Sequence, residues 1–324
     1  MKKTILITGG AGYVGSALVP KLLNKGYKVI VYDLYLYGSV FGDINNPNLV
    51  EINGDIRDKK KLIKAGEGVD QLIHLACISN DPSFELNPAL GKSINYDAFF
   101  NIVDAIKKNN IKRLIFASSA SSYGIKDGDV TEEAPQTPIT DYALYKVECE
   151  KILRNSDLNY TVVRPATVCG YAARLRLDLV VNILTSHALI NKKIKVIGGS
   201  LLRPNINIKD MVRIYEALME APDNLISGEV FNASYQNMAI KEIAQRVKKV
   251  LDGDIVLEEV PTDDIRSYQL NSEKIKKVLN FEFKYDIDEA IKSIKNAFDS
   301  GLIINGLDNP LYHNIKMMRM VNLQ

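Results

Sequence analysis

Residues 4–19 read TILITGGAGYVGSALV. Thr4–Thr8 is short, apolar and β-branched, which predicts a buried strand. Gly9, Gly12 and Gly15 follow at once, and GSALVPKLLNKG then carries the apolar spacing of a helix ending at Gly26. Pro20 falls inside that helix, where a proline removes a hydrogen bond or bends the axis. Glycines let the backbone turn tightly and approach a pyrophosphate, which then sits at the positive end of the helix. The backbone of Gly9, Gly12, Tyr13, Val14 and Gly15 is therefore the predicted dinucleotide cradle. The plainer reading is a glycine turn with packing duties only.

The next elements weigh against the plainer reading. KVIVYD is a second strand that ends on Asp33, and a carboxylate there accepts hydrogen bonds from the adenosine ribose hydroxyls. It repels a 2′-phosphate, and no arginine follows in LYLYGS, so the pattern favours NAD over NADP. LVEING is a third strand, and Asp55 and Ile56 after it stand where an adenine edge is held. DQLIHLA is a fourth, with Leu75, Ala76 and Cys77 on the path of the cofactor backbone. His74 reads as a packed strand residue. A long helix, LGKSINYDAFFNIVDAIKKNN, leads to a fifth strand, KRLIFASS, and the loop after it carries Ser118, Ser119, Ser121 and Ser122 at the edge where ligands bind in open α/β folds. TDYALYKVECEKILRNS is a helix and YTVVRPA a sixth strand.

This alternation predicts an α/β protein, a doubly wound parallel sheet of Rossmann type. Residues 1–165 form the expected dinucleotide-binding domain. Residues 166–324 form a smaller α/β lobe for substrate, some of whose strands return to the main sheet. The last twenty residues have no clear periodicity and read as either a docked or a disordered tail.

Composition narrows the partners. The 324 residues are 46% hydrophobic and 25% charged, with a net charge of 41 − 39 = +2 and no dense basic block. Nucleic acid and anionic membranes have no electrostatic footprint here. Three scattered cysteines and three histidines give no metal pattern, and free thiols fit a reducing, cytoplasmic setting. No apolar run approaches the roughly 18 residues of a membrane helix.

In DYALYKVECE, residues 141–150, Tyr142 and Lys146 stand four apart and share a helix face, whereas Tyr145 does not. The set TGGAGYVG, Asp33, GDI, HLA, SSASSYG and Tyr142-x-x-x-Lys146 resembles the extended short-chain dehydrogenase/reductase superfamily, in its nucleotide-sugar epimerase/dehydratase branch (UDP-glucose 4-epimerase-like). The resemblance implies that Ser119, Tyr142 and Lys146 are catalytic, with NAD as cofactor and a nucleotide-diphosphate sugar as substrate. Tyr142 would take a hydroxyl proton while hydride leaves the same carbon. A tyrosine with its usual pKa of about 10 needs help, which a neighbouring ammonium and the nicotinamide charge supply. Tyr142 and Lys146 would also touch the cofactor, and Asn95 matches a family asparagine at the cofactor site. Substrate contacts are implied for Ser119, Ser121, Thr167, Asn182, Arg203 and Arg266, the two arginines on phosphate. Asp210 reads as a helix cap, and Cys169 as packing. The resemblance also implies a homodimer built on the helices around 92–109 and 139–155.

Departures from the family pattern narrow the reaction. The 4,6-dehydratases carry Asp-Glu after the catalytic Thr, where this chain has Ala120 and Ser121. The 3,5-epimerases use a Cys where Ser121 stands. Thr167 stands where 4-epimerases commonly have Asn. What remains is oxidation at C4. A 4-epimerase is the leading expectation, ahead of a net 4-dehydrogenase or 4-keto-reductase in surface-polysaccharide biosynthesis. A 4,6-dehydratase ranks below these, and a non-catalytic dinucleotide sensor last.

Overall fold

The computed structural model describes residues 2–263 and 267–321. Seven strands form one sheet: β1 (Thr4–Thr8), β2 (Lys28–Asp33), β3 (Leu49–Asn53), β4 (Gln71–His74), β5 (Arg113–Ala117), β6 (Tyr160–Pro165) and β7 (Val230–Ala233). Their order is β7-β6-β5-β4-β1-β2-β3 and every pairing is parallel. The chain winds outward from β1 to β3, then crosses back to β4 and winds the other way. The crevice between β1 and β4 is thus the switch point at which such sheets bind ligands.

Successive side chains on a strand face opposite sides, and the core divides accordingly. Ile5, Ile7, Val29 and Val31 join one apolar cluster with α1 (Tyr13–Asn24) and a later helix, α6 (Ile208–Glu220). Leu6, Ile30, Leu72 and Leu114 join the other with α2 (Lys59–Ala65), α3 (Phe99–Asn109) and α4 (Asp141–Arg154). Burial on both faces is why these strands are near-continuous apolar runs rather than alternating ones.

The second half builds a smaller lobe. Helices α5 (Val180–Asn191), α7 (Ile240–Leu251) and α8 (Ile287–Asp299) enclose a third cluster with the paired strands Lys193–Ile197 and Val256–Val260. Strands Thr167–Cys169, Leu202–Asn207 and Gln236–Ala239 form a three-stranded sheet beside it. Strand β7 and helix α6 return to complete the first half, so a cut at residue 165 does not separate two self-sufficient cores. Among the described residues no helix is long and apolar enough to cross a membrane.

Two details differ from the sequence reading and two refine it. Helix α1 runs on through Pro20. The long helix expected after residue 90 is broken: Pro88–Lys92 is α-helical, Ser93–Asp97 is a π-turn, and α3 begins at Phe99. Asp210 is not the cap of α6, since Asn207 accepts from the Lys209 N–H; Asp210 is fully buried and accepts from the Lys284 and Tyr285 N–H groups. The tail is docked through Val321, with a last helix, α9 (Asn314–Met320), against the 81–84 segment.

Candidate active site

A cleft of about 390 Å³ opens at the carboxyl edge of the sheet. The glycine loop forms its floor. Gly9 has φ +74°, and a Cβ there would lie 2.5 Å from the Ala76 nitrogen; one on Gly15 would lie 2.3 Å from the Gly10 carbonyl oxygen. Only glycine permits both the turn and the approach. The first turn of α1 has Gly12 as its N-cap and no capping side chain, so its N–H groups face the cleft unblocked. Asp33 joins loop to strand, its carboxylate accepting from the Ala11 N–H at 3.0 Å and the Tyr35 N–H at 2.8 Å. Burial raises the Asp33 pKa, against the pull of those hydrogen bonds and of Arg174. Ile56, Leu75, Ala76 and Cys77 line the same wall. Asp55 lines it too, its carboxylate paired with Arg57 at 2.6 Å.

At the other end, Thr140 caps α4, and Tyr142 and Lys146 follow one turn apart, both largely buried. Lys146 Nζ donates to the Ala117 carbonyl at 2.7 Å and lies 5.9 Å from the centre of the Tyr142 ring. Ser119 caps the short helix after β5, shares a 2.8 Å hydrogen bond with Ser121, and lines the cleft with Tyr142. Ser121 and Thr167 complete this end of the cleft. Tyr145 stacks on Tyr96 at 5.3 Å, away from the chemistry. Burial raises the Tyr142 pKa above its ordinary value, with Cys77 and Asp81 acting the same way; Ser119 and Arg176 pull it back. Arg176 is thus a second cation near Tyr142, besides Lys146 one turn along α4.

His74 stands behind Lys146, buried, with Nδ1 2.7 Å from the Thr8 hydroxyl and its ring stacked on Phe116. Burial, then the Lys146 charge, push its pKa down to about 3. It is a neutral packing residue, as the sequence indicated.

Three expected ligand residues have other duties. Asn95 sits in the π-turn, and its amide grips the backbone of Ile78 from both sides, at 2.8 and 2.9 Å. It fixes the cleft wall instead of facing the ligand. Asn182 is fully buried: it accepts from the Gly170 N–H and donates to the Tyr13 hydroxyl and the Arg176 carbonyl, which occupies both of its donors. Arg203 lies on the three-stranded sheet opposite Met238, off the cleft wall, with Nη1 donating to the Leu202 carbonyl. Arg266 lies outside the described residues. The arginines that do line the cleft are Arg174 and Arg176, with Asn314 of the tail beside them. Arg176 forks onto Asp178 at 2.9 and 3.1 Å.

The profile of the NAD dependent epimerase/dehydratase family matches residues 5–234. The chain belongs to this family. Similar proteins include a UDP-glucose 4-epimerase of Lactobacillus helveticus, 28% identical over 317 residues, covering 89% of this chain and 94% of the relative. Among solved structures, the UDP-glucose 4-epimerase of Thermotoga maritima, determined with UDP-glucose, superposes with a TM-score of 0.81 at 26% identity, over 92% of this chain and 99% of that one. A UDP-N-acetylglucosamine 4-epimerase from Methanobrevibacter ruminantium, in complex with UDP-N-acetylmuramic acid, gives a TM-score of 0.84 at 26% identity, over 93% and 100%. NAD is the cofactor of this epimerase/dehydratase family member, and the residues present fit it. The glycine cradle admits a pyrophosphate against α1, and Asp33 faces the position of a ribose. Among the described residues no cluster of His, Cys, Asp and Glu is placed to hold a metal ion.

Proposed function

We propose that the protein inverts the configuration at C4 of a nucleotide-diphosphate sugar. The observation that carries this reading is the trio at one end of the cleft: Tyr142 and Ser119 line it together, with Lys146 fixed behind by the Ala117 carbonyl. When bound, NAD supplies a reversible hydride acceptor. Tyr142 takes and returns the proton of the C4 hydroxyl, and Ser119 holds that oxygen. Lys146 uses one of its three donors on Ala117, which leaves two for the nicotinamide ribose. The groups next to Ser119 are a buried methyl, Ala120, and the hydroxyl of Ser121. Neither transfers the proton that elimination of water requires, which supports C4 chemistry over dehydration. The names of the similar 4-epimerases point the same way.

The test is purified protein with NAD and UDP-, GDP-, CDP- and dTDP-sugars, followed at 340 nm with products identified by NMR. A C4 epimer without net NADH is the expected result. Stoichiometric NADH with a 4-keto sugar would instead identify a net dehydrogenase. Tyr142→Phe should bind NAD as the parent does and lose turnover by at least the 10²–10⁴-fold typical of general acid–base catalysis. Undiminished turnover would reject Tyr142 as the base.

A further inference from the structure

The tail reaches the cleft chiefly through Asn314, which is 4% exposed. Its Oδ1 accepts from Arg174 Nη2 and, at 3.0 Å, from the Tyr37 hydroxyl. Its Nδ2 donates to the Ser79 hydroxyl at 2.9 Å, and its backbone N–H to Asp178 at 3.0 Å. One asparagine therefore ties the loops after β2 and β4 to the second lobe. Met318, a turn further on, also lines the cleft and packs on the core.

What Asn314 holds is a buried cation. Arg174 is 4% exposed, its guanidinium carbon lies 3.5 Å from the centre of the Tyr37 ring, and its Nε has no hydrogen-bond partner among the described residues. An unpaired donor on a buried charge is costly unless something completes it. Two observations say what completes it. The Arg174 backbone N–H bonds the Ser16 hydroxyl, in the first turn of α1, where the pyrophosphate is drawn by the helix N-terminus. Its charge also acts on Asp33, the residue for the ribose. Arg174 thus lines the same cleft as the glycine loop and Asp33, the two positions where the dinucleotide is anchored.

We propose that Arg174 is a pyrophosphate-binding residue for the dinucleotide, and that Asn314 of the C-terminal segment is its positioning residue. Tyr37 supplies a flat support beneath the guanidinium, which leaves its edge for phosphate oxygens. The tail becomes part of the cofactor site. Dinucleotide release then requires the tail contacts to loosen. The inference rests on the family's NAD and not on the sugar chemistry proposed above.

The test is equilibrium binding to the full chain of NAD, ADP-ribose and adenosine by calorimetry, with NAD dissociation by stopped-flow fluorescence. Arg174→Gln should weaken NAD and ADP-ribose on the order of tenfold to a hundredfold, the range for a hydrogen bond to a charged group, and leave adenosine within about twofold. Arg174→Lys should recover part of the loss. Asn314→Ala should weaken both pyrophosphate ligands less and speed NAD release. Equal losses for adenosine would make Arg174 structural only, and unchanged NAD affinity would remove it from the site. Either of these outcomes overturns the proposal. Should Arg174→Gln not fold, Arg174→Lys and Asn314→Ala decide the matter on the same ligands.

Discussion

Glu150 and Arg164 form an ion pair with side chains 1% and 2% exposed. Arg164 binds it in a fork, Nε to Oε1 at 3.0 Å and Nη2 to Oε2 at 2.6 Å. Glu150 also accepts from the Ser118 hydroxyl at 2.5 Å, and Arg164 donates to the Tyr123 hydroxyl at 2.7 Å, which in turn donates to Asn232 on β7. The pair has a clear relation to the site. Glu150 lies one turn beyond Lys146 and two beyond Tyr142 on α4, and Ser118 precedes Ser119. The network therefore fixes the serine loop against the helix that carries the tyrosine and lysine.

The expected cost of breaking it follows from burial. Glu150→Leu leaves a buried guanidinium with no counter-charge, and Arg164→Met leaves a buried carboxylate with only the half-exposed Arg154 at 3.6 Å. Each should destabilise by about 3–5 kcal/mol. The double variant removes both charges and should cost far less than the sum, so that the coupling is at least ~2 kcal/mol, well beyond the ~0.3–0.5 kcal/mol of independent sites. Urea unfolding followed by far-ultraviolet circular dichroism on the four proteins measures this. Turnover in the same set should fall in the singles at unchanged NAD affinity. Strict additivity of the two single effects would refute the reasoning, because it would mean that the two charges do not depend on each other.

Two further outcomes are expected. His74 is held neutral, with a pKa of about 3 against the usual 6.5, so the unfolded chain binds its proton first as pH falls. The stability this gives is whole above pH 6.5 and lost on going down toward 3, about 2 kcal/mol of it by pH 5; His74→Gln should flatten urea midpoints between pH 7 and 5, and an unchanged slope would count against the assignment. On α3, Phe99 is fully buried but Phe100 is 46% exposed, and on α4 Leu144 is exposed as well; we propose that these two helices dock a second copy of the chain, so the parent should have a dimer mass by light scattering and Phe100→Asp a monomer mass, and a monomeric parent would end the idea.

What the sequence disclosed and what it hid separate along chain distance. The β1–α1 cradle, Asp33 and the Tyr142–Lys146 pair were readable because each is specified by neighbours: a strand, three glycines, a strand end, a four-residue spacing. The broken helix was not, because the π-turn at Ser93–Asp97 leaves the apolar pattern nearly unchanged. Arg174 and Arg176 were missed, although a signal existed. They alternate with Leu175 and Leu177, both buried, in a segment without helical spacing, which puts two cations on one side of an extended chain. Asn314 carried no signal, since its partner Ser79 lies 235 residues away. Asn182 and Arg203 were assigned by likeness to a family pattern, and likeness does not say which way a side chain turns.

The contacts of Asn182 explain how the lobes are joined. Its amide takes the Gly170 N–H and gives to Tyr13, while the Tyr13 hydroxyl gives to the Gly170 carbonyl. Tyr13 belongs to the dinucleotide cradle through its backbone, and its side chain reaches across into the second lobe, where burial raises its pKa and keeps it a hydrogen-bond donor. Gly170 starts the segment that leads to Arg174 and Arg176. A shift of the cradle therefore moves the two arginines, and a shift of the arginines moves the cradle. One three-residue junction thus links the cofactor floor to the charged wall of the cleft, and a fully buried asparagine sits at its centre.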